Sequence, residues 1–371
     1  MVAVSVVIPN WNGELMLPAC LDSVRAQTLC DHEVIVADDA STDGSAELLS
    51  SRYPEVKVIR LSRNRGFAAT ANAGIRAGVG EFVFLLNNDA ELDPRCLEEA
   101  VAAIRSDDSL GSCATKMVYC EDPSLVNSAG HACGADGIVV DIGRGERDGP
   151  AFAQPREVLG ACAGAALYRR RMLDQVGLFD EDFVMSFEDA DLSWRAQWAG
   201  WRCRYVPTAI ARHREGASRG IASKRSVEYG LRNAALVWMK NWPCRSLVGH
   251  FGDIWRCLRR SMASLMFRGY GGVLPRVVWG VVARLPAILS RRLSIRRGRA
   301  VPAGRFEELL SPPSPEAVLT PFDSGIRLGM VRLTQQALAG LLSLVMLLLV
   351  LGAATMTDLA AGRTREVGKT R

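Results

Sequence analysis

Phe82-Val83-Phe84-Leu85-Leu86-Asn87-Asn88-Asp89 decides the fold, because five apolar residues run without a break into three oxygen-bearing side chains. Two phenylalanines in so short a run predict a strand covered on both faces, as in the centre of a sheet flanked by helices. The polar triplet then falls at the carboxyl end of that strand, where open α/β sheets bind ligands. A carboxylate at Asp89 suits Mg²⁺ or Mn²⁺ shared with phosphate oxygens, and Asn87 and Asn88 add amide oxygens or hydrogen bonds. The same triplet also reads as ordinary turn chemistry.

Upstream, the pattern repeats. Val4 to Pro9 is an apolar run ending in Asn10-Trp11-Asn12-Gly13, and a helix is expected from Leu15 to Gln27. Glu33 to Ala37 predicts a second strand that ends in Asp38-Asp39-Ala40-Ser41-Thr42-Asp43-Gly44, where Ser41 or Thr42 can cap a helix running through Leu49. A third strand, Val56 to Leu61, leads through Asn64-Arg65-Gly66-Phe67 into the small-residue helix Ala68 to Ala77. Short connections between alternating strands and helices predict a mostly parallel sheet covered on both sides.

Downstream, a helix is expected over Asp93 to Arg105 and a strand over Lys116 to Tyr119. Residues Glu121 to Gln154, rich in Gly, Ala and Asp, predict a hairpin and a mobile loop. The run Gly160-Ala161-Cys162-Ala163-Gly164-Ala165-Ala166 allows either close backbone approach to a ligand or tight packing. Glu188-Asp189-Ala190-Asp191 opens a helix that ends near Gly200; Ser186 followed three residues on by Asp189 matches a capping box, and acids in a first turn complement the helix dipole.

The chain of 371 residues suggests two or three units, and 49% hydrophobic against 23% charged residues is enough to bury a core. A balance of 45 basic and 40 acidic residues gives only +5, too weak by itself to argue for nucleic acid, and none is expected as a partner. Basic residues crowd Arg256 to Arg305 among Leu, Val, Trp and Ile; with Trp238, Trp242, Trp255 and Trp279 they predict amphipathic helices on an anionic membrane surface, or a helical core with basic faces. Ten scattered cysteines without a C-x-x-C pair fit a reducing cytosol, and the first eight residues read as a strand rather than a signal peptide. Pro302 to Pro321 reads as a linker. From Leu333 to Thr357 there is no charge, which predicts one transmembrane helix with the amino-terminal side in the cytoplasm. The expected organisation is a domain over 1–240, membrane-associating helices over 241–301, a Pro-rich linker over 302–324, and an anchor over 325–371 whose span is about 333–357.

Val-Ser-Val-Val-Ile-Pro-Asn-Trp-Asn-Gly at 4–13, Val-Ala-Asp-Asp-Ala-Ser-Thr-Asp-Gly-Ser at 36–45, Asn-Arg-Gly-Phe-Ala at 64–68 and Leu-Leu-Asn-Asn-Asp-Ala at 85–90 resemble successive blocks of family 2 glycosyltransferases. The resemblance continues through Gly177-Leu178-Phe179-Asp180-Glu181, Phe187-Glu188-Asp189-Ala190-Asp191-Leu192 and Tyr205-Val206-Pro207 to His213, in order over the first 240 residues. The rhamnosyltransferase-like subgroup of cell-wall, O-antigen and capsule assembly is the most similar.

That resemblance implies a GT-A-type α/β domain, and an inverting transfer of rhamnose or another hexose from a dTDP- or UDP-linked donor to a polyprenyl-linked saccharide at the inner membrane. It implies that Pro9, Asn10 and Asn12 line the nucleotide, that Asp38 or the adjacent Asp39 accepts the imide N–H of the base, and that Arg65 and Asn72 approach the diphosphate or ribose. The family's Asp-x-Asp metal motif stands here as Asn87-Asn88-Asp89, which leaves Asp89 as the Mg²⁺ or Mn²⁺ ligand, with His213 joining the metal or serving structure. Asp189 is then the catalytic base, supported by Glu188 toward the acceptor and Asp191 in helix geometry. The Asn at the first metal position keeps a catalytically inactive nucleotide-sugar-binding scaffold as the alternative. A dinucleotide oxidoreductase is disfavoured because no G-x-G-x-x-G follows the first strand, and a processive synthase because Gln-x-x-Arg-Trp is missing.

Overall fold

The computed structural model describes residues 2–214 and 223–311, with Gly352. The chain forms two compact units, one built from 2–132 and 141–214 and the other from 133–140 and 223 onward. In chain order the first contains β1 (Val4–Asn10), α1 (Leu17–Arg25), β2 (His32–Asp38), α2 (Ser45–Arg52), β3 (Lys57–Arg60), α3 (Phe67–Ala77), β4 (Phe82–Leu86), β5 (Ala90–Leu92), α4 (Cys96–Arg105), β6 (Leu110–Tyr119) and β7 (Val126–Ser128). After β8 (His131–Gly134) and β9 (Val139–Asp141), whose central residues 133–140 belong to the second unit, come β10 (Arg156–Val158), β11 (Ala165–Arg169), α5 (Arg170–Val176), α6 (Glu188–Trp198) and β12 (Arg202–His213).

The quoted stretch is β4, buried at all five positions. Its side chains alternate between two cores. Phe82, Phe84 and Leu86 join Leu17, Leu21, Leu97 and Ile104 on one face, while Val83 and Leu85 meet Ala68, Ala71 and Ile75 on the other. Each such side chain contributes about 1.5 to 3 kcal/mol by leaving water. Small residues let α3 lie close against the sheet.

The strand order is β10-β12-β6-β11-β4-β1-β2-β3, with β5 on β12 and β7 on β6. Pairings β4-β1-β2-β3 and β6-β12 are parallel, but β11 runs antiparallel to both β4 and β6, so the sheet is mixed rather than mostly parallel. An apolar run reports burial and is blind to strand direction, which is why the expectation failed.

Three local expectations are also corrected. Helix α2 starts after Gly44 with no side-chain cap, so neither Ser41 nor Thr42 caps it. Helix α6 starts after Phe187, also without a side-chain cap, so Ser186 and Asp189 form no capping box. Residues 121–154 are strands and turns whose Val126, Asn127, Ser128, Ala129 and His131 are buried, in place of a mobile loop.

The second unit is helical, with α7 (Lys224–Asn241), α8 (Cys244–Gly249), α9 (Phe251–Phe267), α10 (Leu274–Val282), α11 (Leu285–Arg297) and α12 (Gly304–Glu308), followed by β13 (Leu310–Ser311) beside β8. Trp238 and Trp242 are core residues here: the Trp238 indole donates to Gly137 O at 2.8 Å, and Trp242 packs edge-on against Phe306 at 4.8 Å. Arg292 is buried too, donating to Met239 O and Trp242 O. Trp279 by contrast is 71% exposed. The start of the expected linker is therefore folded through α12, and the rest of it, like the apolar segment 333–357, lies outside the described residues. Among the described residues no single helix is long and apolar enough to cross a membrane; one bent pair, Gly271–Val282 with Leu285–Arg297, has the length and composition together.

Candidate functional site

The carboxyl ends of β1, β2 and β4 and the entry to β11 lie along one rim of the large sheet, because Asn10 pairs with Asp38 across β1 and β2, and Leu86 with Ala165 across β4 and β11. The polar side chains there are linked. Asn10 Nδ2 donates to Asp38 at 3.1 Å and to the Ser41 hydroxyl at 3.3 Å, while its Oδ1 accepts from Asn88 Nδ2 at 2.8 Å. Asp38 also takes the hydroxyl and the backbone N–H of Ser41 and has Arg60 at 3.5 Å. Three of the carboxylate's roughly four acceptor positions are thus taken by Asn10 and Ser41. Pro9 is buried opposite Ala37, and Asn12, in the left-handed region, holds Thr42 N at 2.8 Å with its side chain.

Asp39 braces a neighbouring loop. Its two oxygens accept from Arg65 N at 2.7 Å and Gly66 N at 2.8 Å, immediately before α3. Gly66 has φ +86°, and a Cβ there would meet Val184 at 2.5 Å, so only glycine fits. Arg65 pairs with Glu181 at 2.6 Å from a half-exposed position. Asn72 does not reach this rim opening: it is buried, its Nδ2 donating to Phe179 O at 2.8 Å and its Oδ1 accepting from Phe179 N at 3.0 Å, which corrects its placement at the diphosphate.

At the end of β4, Asp89 meets the end of β12. Asp89 Oδ1 lies 3.2 Å from His213 Nε2, and Asn87 Nδ2 lies 3.4 Å from the same nitrogen. On the far side of the ring, Nδ1 meets Asn127 Oδ1 at 3.1 Å. An amide oxygen accepts, so Nδ1 carries a hydrogen, and Nε2 is the ring nitrogen that faces the Asp89 carboxylate. A carboxylate oxygen and an imidazole nitrogen placed together in this way fit Mn²⁺ or Mg²⁺ shared between them, the imidazole favouring Mn²⁺. Asn127 holds the ring in the tautomer a metal needs.

The opposite end of the rim carries Asp189, on the first turn of α6. Its Oδ2 accepts from Ala163 N at 3.1 Å and its Oδ1 from Ala190 N at 2.8 Å. The adjacent residue, Gly164, accepts from Asn87 N at 2.8 Å. Consecutive residues of the small-residue run thus join Asp189 to the end of β4. The run also packs tightly, since a Cβ on Gly160 would lie 1.8 Å from Ser193 Oγ. Before α6, Val184, Ser186 and Phe187 all have positive φ, strain of the kind that collects at functional sites.

Glu188, beside Asp189 on the first turn of α6, is buried at 4% exposure. Asp191 is fully buried and pairs with Arg195 at 2.8 Å, whose remaining N–H groups bind the carbonyls of Val176, Gly177 and Leu178. That pair lies within one turn of α6 and ties the helix to the loop before it. Three polar residues in the 121–154 segment had escaped notice: Asn127, His131 and Asp141. His131 Nε2 stands 3.5 Å from Asp141 and 3.7 Å from Asp189. Their only signal was polarity within a small-residue stretch that pairs with distant strands.

Residues 5–177 match the model described as Glycosyl transferase family 2. The chain is 30% identical over 244 residues to an N-acetylglucosaminyl-diphospho-decaprenol L-rhamnosyltransferase of Mycobacterium tuberculosis, covering 58% of this chain and 77% of that one. It is 28% identical over 245 residues to the O-antigen biosynthesis protein RfbC of Myxococcus xanthus, covering 62% of this chain but 19% of the much longer relative. Among solved structures, GalNAc-T7 with UDP, GalNAc and Mn²⁺ superposes with a TM-score of 0.52 at 19% identity, over 65% of this chain and 48% of that one, which shows a shared fold.

Proposed function

The chain belongs to glycosyltransferase family 2, and from that membership we propose that it moves rhamnose or another hexose, with inversion, from a dTDP- or UDP-linked donor to a polyprenyl-linked saccharide. The observation that carries the proposal is the unbroken line of contacts from Asp38 through Asn10 and Asn88 to the Asp89–His213 pair, and from Asn87 through Gly164 and Ala163 to Asp189. One stretch of rim offers a nucleotide corner, a metal corner and a carboxylate beyond them.

In this reading the base and ribose rest against Asn10, Asn12 and Asp38, and Arg65 faces the diphosphate. Asp89 and His213 hold Mn²⁺ or Mg²⁺, which when bound offsets the charge growing on the departing diphosphate. His213 supplies an imidazole where the family's first motif acid is replaced by Asn87, which favours an enzyme over an inactive scaffold. Asp189 takes the proton from the acceptor hydroxyl while that oxygen bonds to the anomeric carbon and the bond to the diphosphate breaks on the opposite face. The amides of Ala163 and Ala190 keep the carboxylate turned toward the acceptor.

The acceptor's lipid places the reaction at the inner face of the cytoplasmic membrane. Support comes from the exposed Phe251, Phe267 and Trp279 among the arginines of α9 to α11, and from the apolar run 333–357.

The test is a panel of nucleotide-sugars scored for thermal stabilisation of the full chain with and without Mn²⁺, followed by transfer to a polyprenyl-diphosphate-linked sugar. Metal-dependent stabilisation by one donor and transfer of its sugar is the expected result. Stabilisation without transfer supports the scaffold instead, and no stabilisation by any donor overturns the reading.

A further inference from the structure

Beside the presumed base lies a second group of metal-binding side chains, separate from the Asp89–His213 pair. His131 Nε2, the Cys162 thiol and an oxygen of Asp189 all lie within 4.8 Å of one another. Asp141 adds a fourth donor, its Oδ1 3.5 Å from His131 Nε2, while Asp189 Oδ2 lies 3.7 Å from the same nitrogen. These separations are long for hydrogen bonds. The two distances from His131 match the edges of a tetrahedron around Zn²⁺, where bonds of roughly 2.0 to 2.3 Å put neighbouring ligand atoms roughly 3.3 to 3.8 Å apart, and the Cys162 thiol, within 4.8 Å, has to draw in on binding.

The surroundings point the same way. His131 is 5% exposed, and the Asp141 Oδ1 that faces its Nε2 is buried without a hydrogen-bond partner. Thiolate, imidazole and carboxylate together select a borderline-soft ion over Mg²⁺. The group is held on rigid elements: His131 exchanges backbone bonds with Leu159 and Gly160, and Ala163 N fixes Asp189.

We propose that His131, Asp141, Cys162 and Asp189 form a site for a thiophilic divalent cation of the Zn²⁺ class, which on occupancy ties up the carboxylate assigned as the base. Binding rests on this geometry alone; the loss of transfer rests also on the role given to Asp189.

The experiment measures Zn²⁺ binding to the full chain by competition with a chromophoric chelator and by thermal shift, in wild type, Cys162→Ser, His131→Gln, and Asp89→Ala, which removes the other metal corner. One Zn²⁺ is expected to remain bound in Asp89→Ala, with affinity for that ion at least tenfold weaker in Cys162→Ser and in His131→Gln. In transfer assays held at saturating Mn²⁺, Zn²⁺ inhibits wild type, and Cys162→Ser needs at least tenfold more Zn²⁺ for the same inhibition. Absence of stoichiometric binding in wild type, or binding lost with Asp89→Ala and kept in both cluster variants, overturns the site. Stoichiometric binding that requires Cys162 yet leaves transfer untouched keeps the site and overturns Asp189 as the base.

Discussion

The ring Nε2 of His213 lies 3.2 Å from an oxygen of Asp89, and these residues reach the same point from strands β12 and β4. Asn127 makes that meeting usable by taking the opposite ring nitrogen. Asn127→Ala is expected to weaken Mn²⁺ binding by about 10- to 100-fold, the usual effect of removing such a partner, while Asn127→Asp retains an acceptor and recovers most of it. The Mn²⁺ concentration needed for half-maximal donor-dependent thermal stabilisation reads this directly. Equal values for Asn127→Ala and wild type would contradict it.

Asp189→Asn keeps the size of the side chain and one of its two backbone amide contacts but removes the proton acceptor. Transfer should fall by about 10²- to 10⁴-fold, with donor and Mn²⁺ binding unchanged. Initial-rate assays beside nucleotide-sugar binding separate these effects, and near-normal turnover would show that another group takes the proton.

Asp191 and Arg195 form a buried pair that also anchors the carbonyls of residues 176–178. Asp191→Ala leaves a buried guanidinium without its counter-charge, at a cost of about 3 to 5 kcal/mol. Urea unfolding should show a midpoint shift of that order.

Much of this fold was legible in the chain itself, and the reasons are local. Residues 82–86 announced a covered strand because both their faces are apolar, and Asp38, Asp89 and Asp189 stood out because each follows or opens a regular element. What was hidden depends on contacts distant in sequence. The direction of β11, the pairing of residues 126–131 with far strands, and the burial of Trp238 and Trp242 leave no mark on neighbouring residues. Asn72 misled for a related reason: a polar side chain looks the same in sequence whether it faces a ligand or a backbone carbonyl.

Glu181 links the loop before α6 to Arg65, Arg76 and Asn72. Burial works to raise its carboxyl, but the Asn72 amide and the Arg65 and Arg76 guanidiniums outweigh it and hold the group below its ordinary value of 4.5. A carboxylate lowered in the folded state adds stability above that ordinary value and loses it as pH falls through the folded one. Wild type should therefore exceed Glu181→Gln in stability at neutral pH, with the gap closing on acidification below 4.5. Denaturant melts across that range measure it; a gap independent of pH would refute the linkage.

Gly160→Ala forces a methyl group onto Ser193, whose Oγ would lie at 1.8 Å and Cβ at 2.3 Å. A loss of about 1 to 3 kcal/mol is expected, partly restored by Ser193→Gly in the same chain. Thermal melts of the single and double variants decide it.

Ala163 and Gly164, neighbours in the chain, hold Asp189 with one backbone group and the end of β4 with the other. The gap between leaving-group corner and proton acceptor is thereby gauged by the length of a single dipeptide. A change of acceptor specificity has to be sought in the loops around that fixed calliper, because altering the gauge itself would unseat a central strand of the sheet.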